Sequence, residues 1–253
     1  MKLYDIVFSP TGGTKKVAEC LTGVLEGKVT TVDLADSRQD FNAVSLEKED
    51  VAVISVPSYG GRVPAVAEER LVRLHGNGAR AVLVCVYGNR AYEDTLAELE
   101  DTVKQAGFQV IAAVAAIAEH SIARQFAAGR PDAQDEALLS DFAKQIQHKL
   151  LQGTLSIPVI PGNRPYKKAG GAGMVPKPTK ECTNCGVCAA ECPVQAIDTA
   201  DPKKVNDKVC ISCMRCISVC PHGARKVNPV MLTAVGVALK KVCSERKECE
   251  LFL

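Results

Sequence analysis

Eight cysteines stand in two copies of one pattern, C-x2-C-x2-C-x3-C-P. Cys182, Cys185, Cys188 and Cys192 precede Pro193, and Cys210, Cys213, Cys216 and Cys220 precede Pro221. The copies are offset by 28 residues, and ten of the chain's twelve cysteines lie beyond residue 181. Asp5 interrupts any signal-like apolar stretch at the start of the chain. A soluble cytoplasmic protein is therefore expected, and there such a pattern means bound metal before disulfides.

Structural zinc sites built from four cysteines also use CxxC pairs, but zinc needs two pairs per ion. It leaves the third spaced cysteine and the repeated Cys-Pro step without a purpose. Three cysteines at three-residue steps wrap one cuboidal cluster, while the fourth, past a short turn and followed by Pro, points to the other. With these residues, 177–228 resemble a bacterial-type ferredoxin, a small α+β domain. The resemblance implies two [4Fe-4S] clusters, the first held by Cys182, Cys185, Cys188 and Cys220, the second by Cys210, Cys213, Cys216 and Cys192.

Charge divides with the cysteines. Residues 1–152 carry 16 Lys+Arg against 21 Asp+Glu, and 153–253 carry 15 against 8. The resulting +7 largely offsets the charge of about −2 on each oxidised cluster. Its lysines are scattered among Pro, Gly and Cys without aromatic interleaving, so no nucleic-acid partner is expected. The longest apolar runs, at 110–118 and 230–239, fall short of the roughly 18 residues of a membrane span, and no span is expected.

Upstream, short runs rich in Val, Ile and Ala at 3–8, 29–33, 51–56, 80–87 and 109–116 read as strands covered on both faces. Between them, Val17, Leu21, Val24 and Leu25, then Ala67, Leu71 and Leu74, then Leu96, Leu99 and Val103, and finally Leu138, Phe142, Ile146 and Leu150 recur at helical spacing. Alternating strands and helices predict an α/β fold, a doubly wound parallel sheet with ligands at the carboxyl ends of its strands.

At that end of the first strand lies SPTGGT, residues 9–14. It matches neither the Walker A nor the GxGxxG pattern. Hydroxyls at Ser9, Thr11 and Thr14 surround amides made approachable by Gly12 and Gly13, at a helix start that favours a phosphate. A plain helix-capping turn is the alternative. Two further loops on the same side, Pro57, Ser58, Tyr59, Gly60, Gly61 and Arg62, then Tyr87, Gly88, Asn89, Arg90, Ala91 and Tyr92, each bear glycine and tyrosine. Together these features describe a clamp for a planar ring with a phosphate tail.

With these three loops, residues 1–152 resemble a flavodoxin. The resemblance implies a five-stranded sheet of order 2-1-3-4-5 and bound FMN. Ser9, Thr11, Gly12, Gly13 and Thr14 would hold the phosphate. Pro57, Ser58, Tyr59, Gly60 and Gly61 would lie on one side of the ring, and Tyr87, Gly88, Asn89 and Arg90 on the other; Tyr92 is a weaker candidate. Arg62 and Arg90 depart from the acidic surroundings usual in that family, and facing the ring they would raise its potential. The segment 118–131 reads as a cover beside the flavin, with His120 and Ser121 able to touch it.

Residues 153–176, rich in Pro and Gly, read as a linker, and 229–253 as a C-terminal helix or tail. Cys20, Cys85, Cys243 and Cys249 lack ligand spacing and are assigned to no metal. The whole resembles the flavodoxin-ferredoxin fusion proteins of anaerobic bacteria and archaea. That implies an electron-transfer protein passing electrons between two [4Fe-4S] clusters and FMN, with a redox partner such as a ferredoxin or a low-potential oxidoreductase; a homodimer is compatible. One alternative is a ferredoxin-linked flavin reductase of a small acceptor, with His120 or Arg90 as candidate catalytic groups. Another is a redox sensor or partner-binding protein.

Overall fold

The computed structural model describes residues 1–153, 156–171 and 173–253. β1 (Leu3–Val7) buries all of its residues, as a strand flanked on both sides and covered on both faces must. It is followed by α1 (Gly13–Thr22), β2 (Val29–Asp33), β3 (Val51–Pro57), α2 (Ala65–Leu71), β4 (Arg80–Tyr87), α3 (Thr95–Gln105), β5 (Gln109–Ile117) and α4 (Ala133–Gln152). The five strands pair in parallel in the order β2-β1-β3-β4-β5. The chain leaves β1 to one side for β2 and returns on the other for β3. The loops after β1 and β3 therefore part at the carboxyl ends and open a crevice.

The helices present the expected faces with one rotation. In α4 the buried residues are Leu139, Phe142, Ala143 and Ile146, together with Asp135 and Lys149, while Leu138 and Leu150 sit at the margin. The N-cap Asp132 accepts from the Gln134 and Asp135 amides. Asp135, fully buried, takes the guanidinium of Arg130, and Lys149 donates to the Ile111 carbonyl at 2.6 Å. Two charged side chains on the inner face turn the helix by about one residue, which apolar periodicity could not register.

Beyond the linker come β6 (Lys177–Pro178), α5 (Val187–Ala190), α6 (Arg215–Ser218) and β7 (Arg225–Lys226), with β6 antiparallel to β7. The backbone repeats as the sequence does. Positive φ occurs at Asn184, Gly186 and Gln195, and again 28 residues later at Ser212, Met214 and Gly223. Each half needs the same left-handed turns to bring three nearby cysteines to one point, even where the residue is not glycine.

The expectation of five strands is short by one. After α7 (Pro229–Cys243) the chain returns as β8 (Glu250–Phe252), antiparallel to β5 with Ala113 opposite Phe252. β5 would otherwise be an unpaired apolar edge, and Leu251 and Phe252 pack half-buried against the core. Three residues carry no readable period, so the strand was invisible in sequence. Among the described residues no helix is long and apolar enough to cross a membrane.

Candidate functional site

Cys182, Cys185, Cys188 and Cys220 line one small pocket, and Cys192, Cys210, Cys213 and Cys216 line a second. In both, the fourth cysteine comes from the other copy of the motif, and none of the eight is in a disulfide. Among the described residues no three His, Cys, Asp or Glu converge as a single-ion site; the sulfurs ring cavities instead. The Ala196 and Ala224 amides donate to Cys192 Sγ and Cys220 Sγ, each at 3.3 Å. Arg225, 2% exposed, donates to Cys188 Sγ at 3.2 Å and to the Pro176 and Pro202 carbonyls. Burial pushes the Cys213 thiol up to about 11 and Cys216 up to about 12, so these sulfurs ionise readily only against a bound cation.

At the carboxyl ends of β1, β3, β4 and β5 lies a cleft of about 470 Å³. It gathers all three expected loops, through Thr11, Gly13 and Thr14, through Pro57, Ser58, Tyr59 and Gly60, and through Tyr87, Gly88 and Arg90. Glu119, His120 and Ser121 close one side. Two contributors come from elsewhere: Lys167, Gly170 and Gly171 of the linker, and Ile211 and Ser212, which stand between the cysteines of the second pocket.

Close approach explains the glycines. A Cβ on Gly13 would lie 3.1 Å from Ala118 Cβ, one on Gly88 2.6 Å from the His120 ring, and one on Gly61 against the Glu93 carboxylate. Gly12 caps α1 at φ 93, a left-handed conformation that glycine adopts without strain. His120 Nδ1 accepts from the Ile122 and Ala123 amides at 3.2 and 3.1 Å. The ring's proton therefore sits on Nε2, which has no protein partner among the described residues. Burial, helped by Arg90, lowers the His120 pKa and keeps the ring neutral. Tyr59 is held in a turn by reciprocal backbone bonds with Arg62 at 2.9 and 3.3 Å. Burial raises its phenol pKa well above the ordinary value, with Cys213 contributing in the same direction.

Residues 181–224 match the family described as the 4Fe-4S dicluster domain. Over 55 residues the chain is 42% identical to Ferredoxin-2 of Chlorobaculum tepidum, covering 19% of this chain and 89% of that protein. The chain belongs to the ferredoxin family through this 4Fe-4S dicluster domain. It is also 41% identical over 71 residues to a subunit of the tetrathionate reductase of Archaeoglobus fulgidus, but spans only 34% of that relative's length and 27% of its own. A flavodoxin from the domain Archaea aligns with 60% of this chain and 99% of its own, at TM-score 0.45 and 16% identity. A Streptococcus pneumonia flavodoxin aligns with 58% and 99%, at 0.41 and 20%. The chain thus carries a parallel sheet of order β2-β1-β3-β4-β5 ahead of its dicluster domain.

Several expected site residues are turned to other tasks. Ser9 Oγ accepts the Lys15 amide at 2.9 Å, which is the helix-capping role, and leaves Thr11 and Thr14 as the hydroxyls facing the cleft. The Asn89 side chain donates to the Cys243 and Glu245 carbonyls at 2.9 and 2.8 Å and accepts from the Lys247 amide; it anchors the tail. Arg62 points away to Glu98 and the Lys167 carbonyl, and lies over the Tyr166 ring at 5.0 Å. Arg90 lines the cleft but is paired with Glu93 at 3.0 and 2.9 Å, so the expected pair of free positive charges is absent. Tyr92 meets Tyr87 edge-on at 5.3 Å, and its hydroxyl donates to Glu250.

The sheet and the dicluster domain pack against each other through residues beside the second cysteine pocket. Arg70 donates to the Pro193 carbonyl at 2.6 Å. Arg215, paired with Glu191, reaches the Pro10 carbonyl at 3.5 Å. Ile211 and Val194 pack on the core of the sheet domain.

Proposed function

We propose that the chain is an electron-transfer iron–sulfur flavoprotein in which the cleft holds FMN and the second cluster, on Cys192, Cys210, Cys213 and Cys216, exchanges electrons with it. One observation supports this above others: Ile211 and Ser212, flanked by two of those cysteines, line the same cleft as Thr11, Tyr59 and Tyr87. Bound FMN would supply one- and two-electron chemistry, and the clusters single electrons. Thr11, Thr14 and the amides at the start of α1 would hold the phosphate, while Tyr59 and Tyr87 flank the ring. Buried Arg225 would tune the first cluster by its hydrogen bond to Cys188. The corresponding division is 1–152 for the flavin domain, 153–176 for the connection, 177–228 for the clusters and 229–253 for the tail.

Anaerobic purification with iron, sulfide and flavin analysis tests the cofactors. About eight Fe with no flavin retained after added FMN would overturn this reading. Thr11→Asp places a carboxylate where the phosphate belongs, and should expel FMN while the cluster absorption stays. The second reading, a flavin-dependent reductase of a small acceptor, is favoured by the unused Nε2–H of His120 in the cleft. Steady turnover of an added acceptor separates it from reversible electron exchange.

A further inference from the structure

We propose that the solvent-facing rim of the first cysteine pocket is the docking face for an acidic redox protein, the point where electrons enter or leave the molecule. This rests on the electron-transfer reading and adds to it which face the partner meets and the sign of its charge.

The two pockets differ in what covers them. The second is packed against the sheet domain, with Ile211 and Val194 on its core and Cys192 and Cys213 buried. In the first, Cys185 is exposed, Val187 is 36% exposed, and His222 of the pocket lining is exposed. A partner approaching from solvent thus reaches the first pocket without displacing any part of this chain.

The charge around that opening is unbalanced. Three ion pairs form in the dicluster domain, Lys177 with Asp207, Lys204 with Asp201 and Arg215 with Glu191. Lys180 lies two residues before Cys182, Lys203 follows Pro202 of the pocket wall, and Lys226 follows Arg225; all three are exposed. Among the described residues none of the three forms an ion pair. The opposing charges beside the rim are Glu181, bonded to the Thr179 hydroxyl, and Asp201, which is paired with Lys204. Inside the pocket, Arg225 offsets part of the negative charge that an occupied pocket carries. An apolar centre at Val187 and Pro221 within a cationic rim suits a small, transient interface whose encounter rate is set by opposite charge on the partner.

The test is calorimetric titration of the full holoprotein with an acidic ferredoxin as probe, at low and at moderate salt. Affinity is expected to fall steeply from about 20 to about 200 mM salt, as the screening length shortens. Replacing Lys180, Lys203 and Lys226 by Glu together should weaken binding by about tenfold or more at low salt, and each Lys→Gln change by roughly two- to fivefold. The same changes should flatten the salt dependence. Lys28→Glu with Lys48→Glu, at the amino ends of the strands and opposite the cleft, should leave binding unchanged. Binding by the triple variant equal to wild type, salt-insensitive binding, or equal loss in the control overturns the proposal. Photoreduction without any partner, followed by flavin absorbance, reports cluster-to-flavin transfer separately, so failure of the rim and failure of the electron-transfer reading are told apart.

Discussion

At the scale of single residues, three side chains of the sheet domain, Asp5, Ser55 and His120, keep a polar atom without a protein partner among the described residues. Asp5 is 3% exposed in the middle of β1; its Oδ1 and the Ser55 hydroxyl are buried without a hydrogen bond among the described residues. Burial, then Glu19 and Asp33, push its carboxyl up to about 6 against the opposing pull of Lys15. The folded state then holds the proton more tightly than the unfolded state, so stability falls as pH rises from about 4 to about 6 and stays reduced above that. Asp5→Asn should raise Tm above pH 6, by an amount corresponding to about 2 to 3 kcal/mol, and change it little below about pH 4. A difference independent of pH in thermal melts would contradict this. The third is His120, which lines the cleft with no protein partner for its Nε2–H among the described residues. His120→Leu should weaken FMN binding roughly two- to tenfold, the worth of one hydrogen bond, and His120→Gln should restore most of it. Fluorescence titration of flavin-free protein with intact clusters measures both.

At the scale of elements, residues 162–167 are not a free tether. The Asp94 carboxylate accepts from the Asn163 backbone and side chain at 2.8 and 3.0 Å and from the Lys167 amide at 2.7 Å. Arg164 grips Asp101 and Glu100 of α3, each at 2.7 Å. Asp94 is buried, and these backbone bonds hold its carboxyl below the ordinary range. The segment is a strap that carries Lys167, Gly170 and Gly171 over the cleft. Asp94→Ala would leave the strap amides unpaired, at about 1 to 3 kcal/mol. The expected result is faster protease cleavage within 156–171 and slower flavin reduction by the clusters, with iron content unchanged; unaltered proteolysis would show that the remaining contacts, of Arg164 with α3 and of Arg62 with the Lys167 carbonyl, hold the strap without Asp94. Composition identified this region as irregular, because Pro and Gly declare themselves locally. Its attachment depends on partners more than sixty residues away and could not be read.

At the scale of the whole molecule, the two modules rest on different sources of stability. The sheet domain has a continuous apolar core built on five central strands. The dicluster domain buries a small group around Cys188, Ala189, Cys192, Ala196 and Ile197, too little apolar surface to hold its fold without the clusters. Iron chelation under anaerobic conditions should therefore unfold the second module while the strand signal of the first persists, leaving a single calorimetric transition, that of the sheet domain. Simultaneous loss of both would mean that the contacts of Arg70 and Arg215 couple the folds.

The spacing of eight cysteines and the alternation of apolar runs, both local patterns, marked the cysteines that line the two pockets, the class of the sheet and the three loops around the cleft. Chain connectivity is enough for these, since a strand must be covered and a thiolate must be bound. Tertiary structure decided what depends on orientation. It turned Ser9, Asn89 and Arg62 from the cleft to caps and anchors, and added β8 to the sheet. It also brought Ile211 and Ser212, from between the cysteines of the second pocket, into the same cleft as Tyr59. A side chain's direction and a contact between distant segments are settled by packing of the whole chain, which leaves no periodic trace in the sequence.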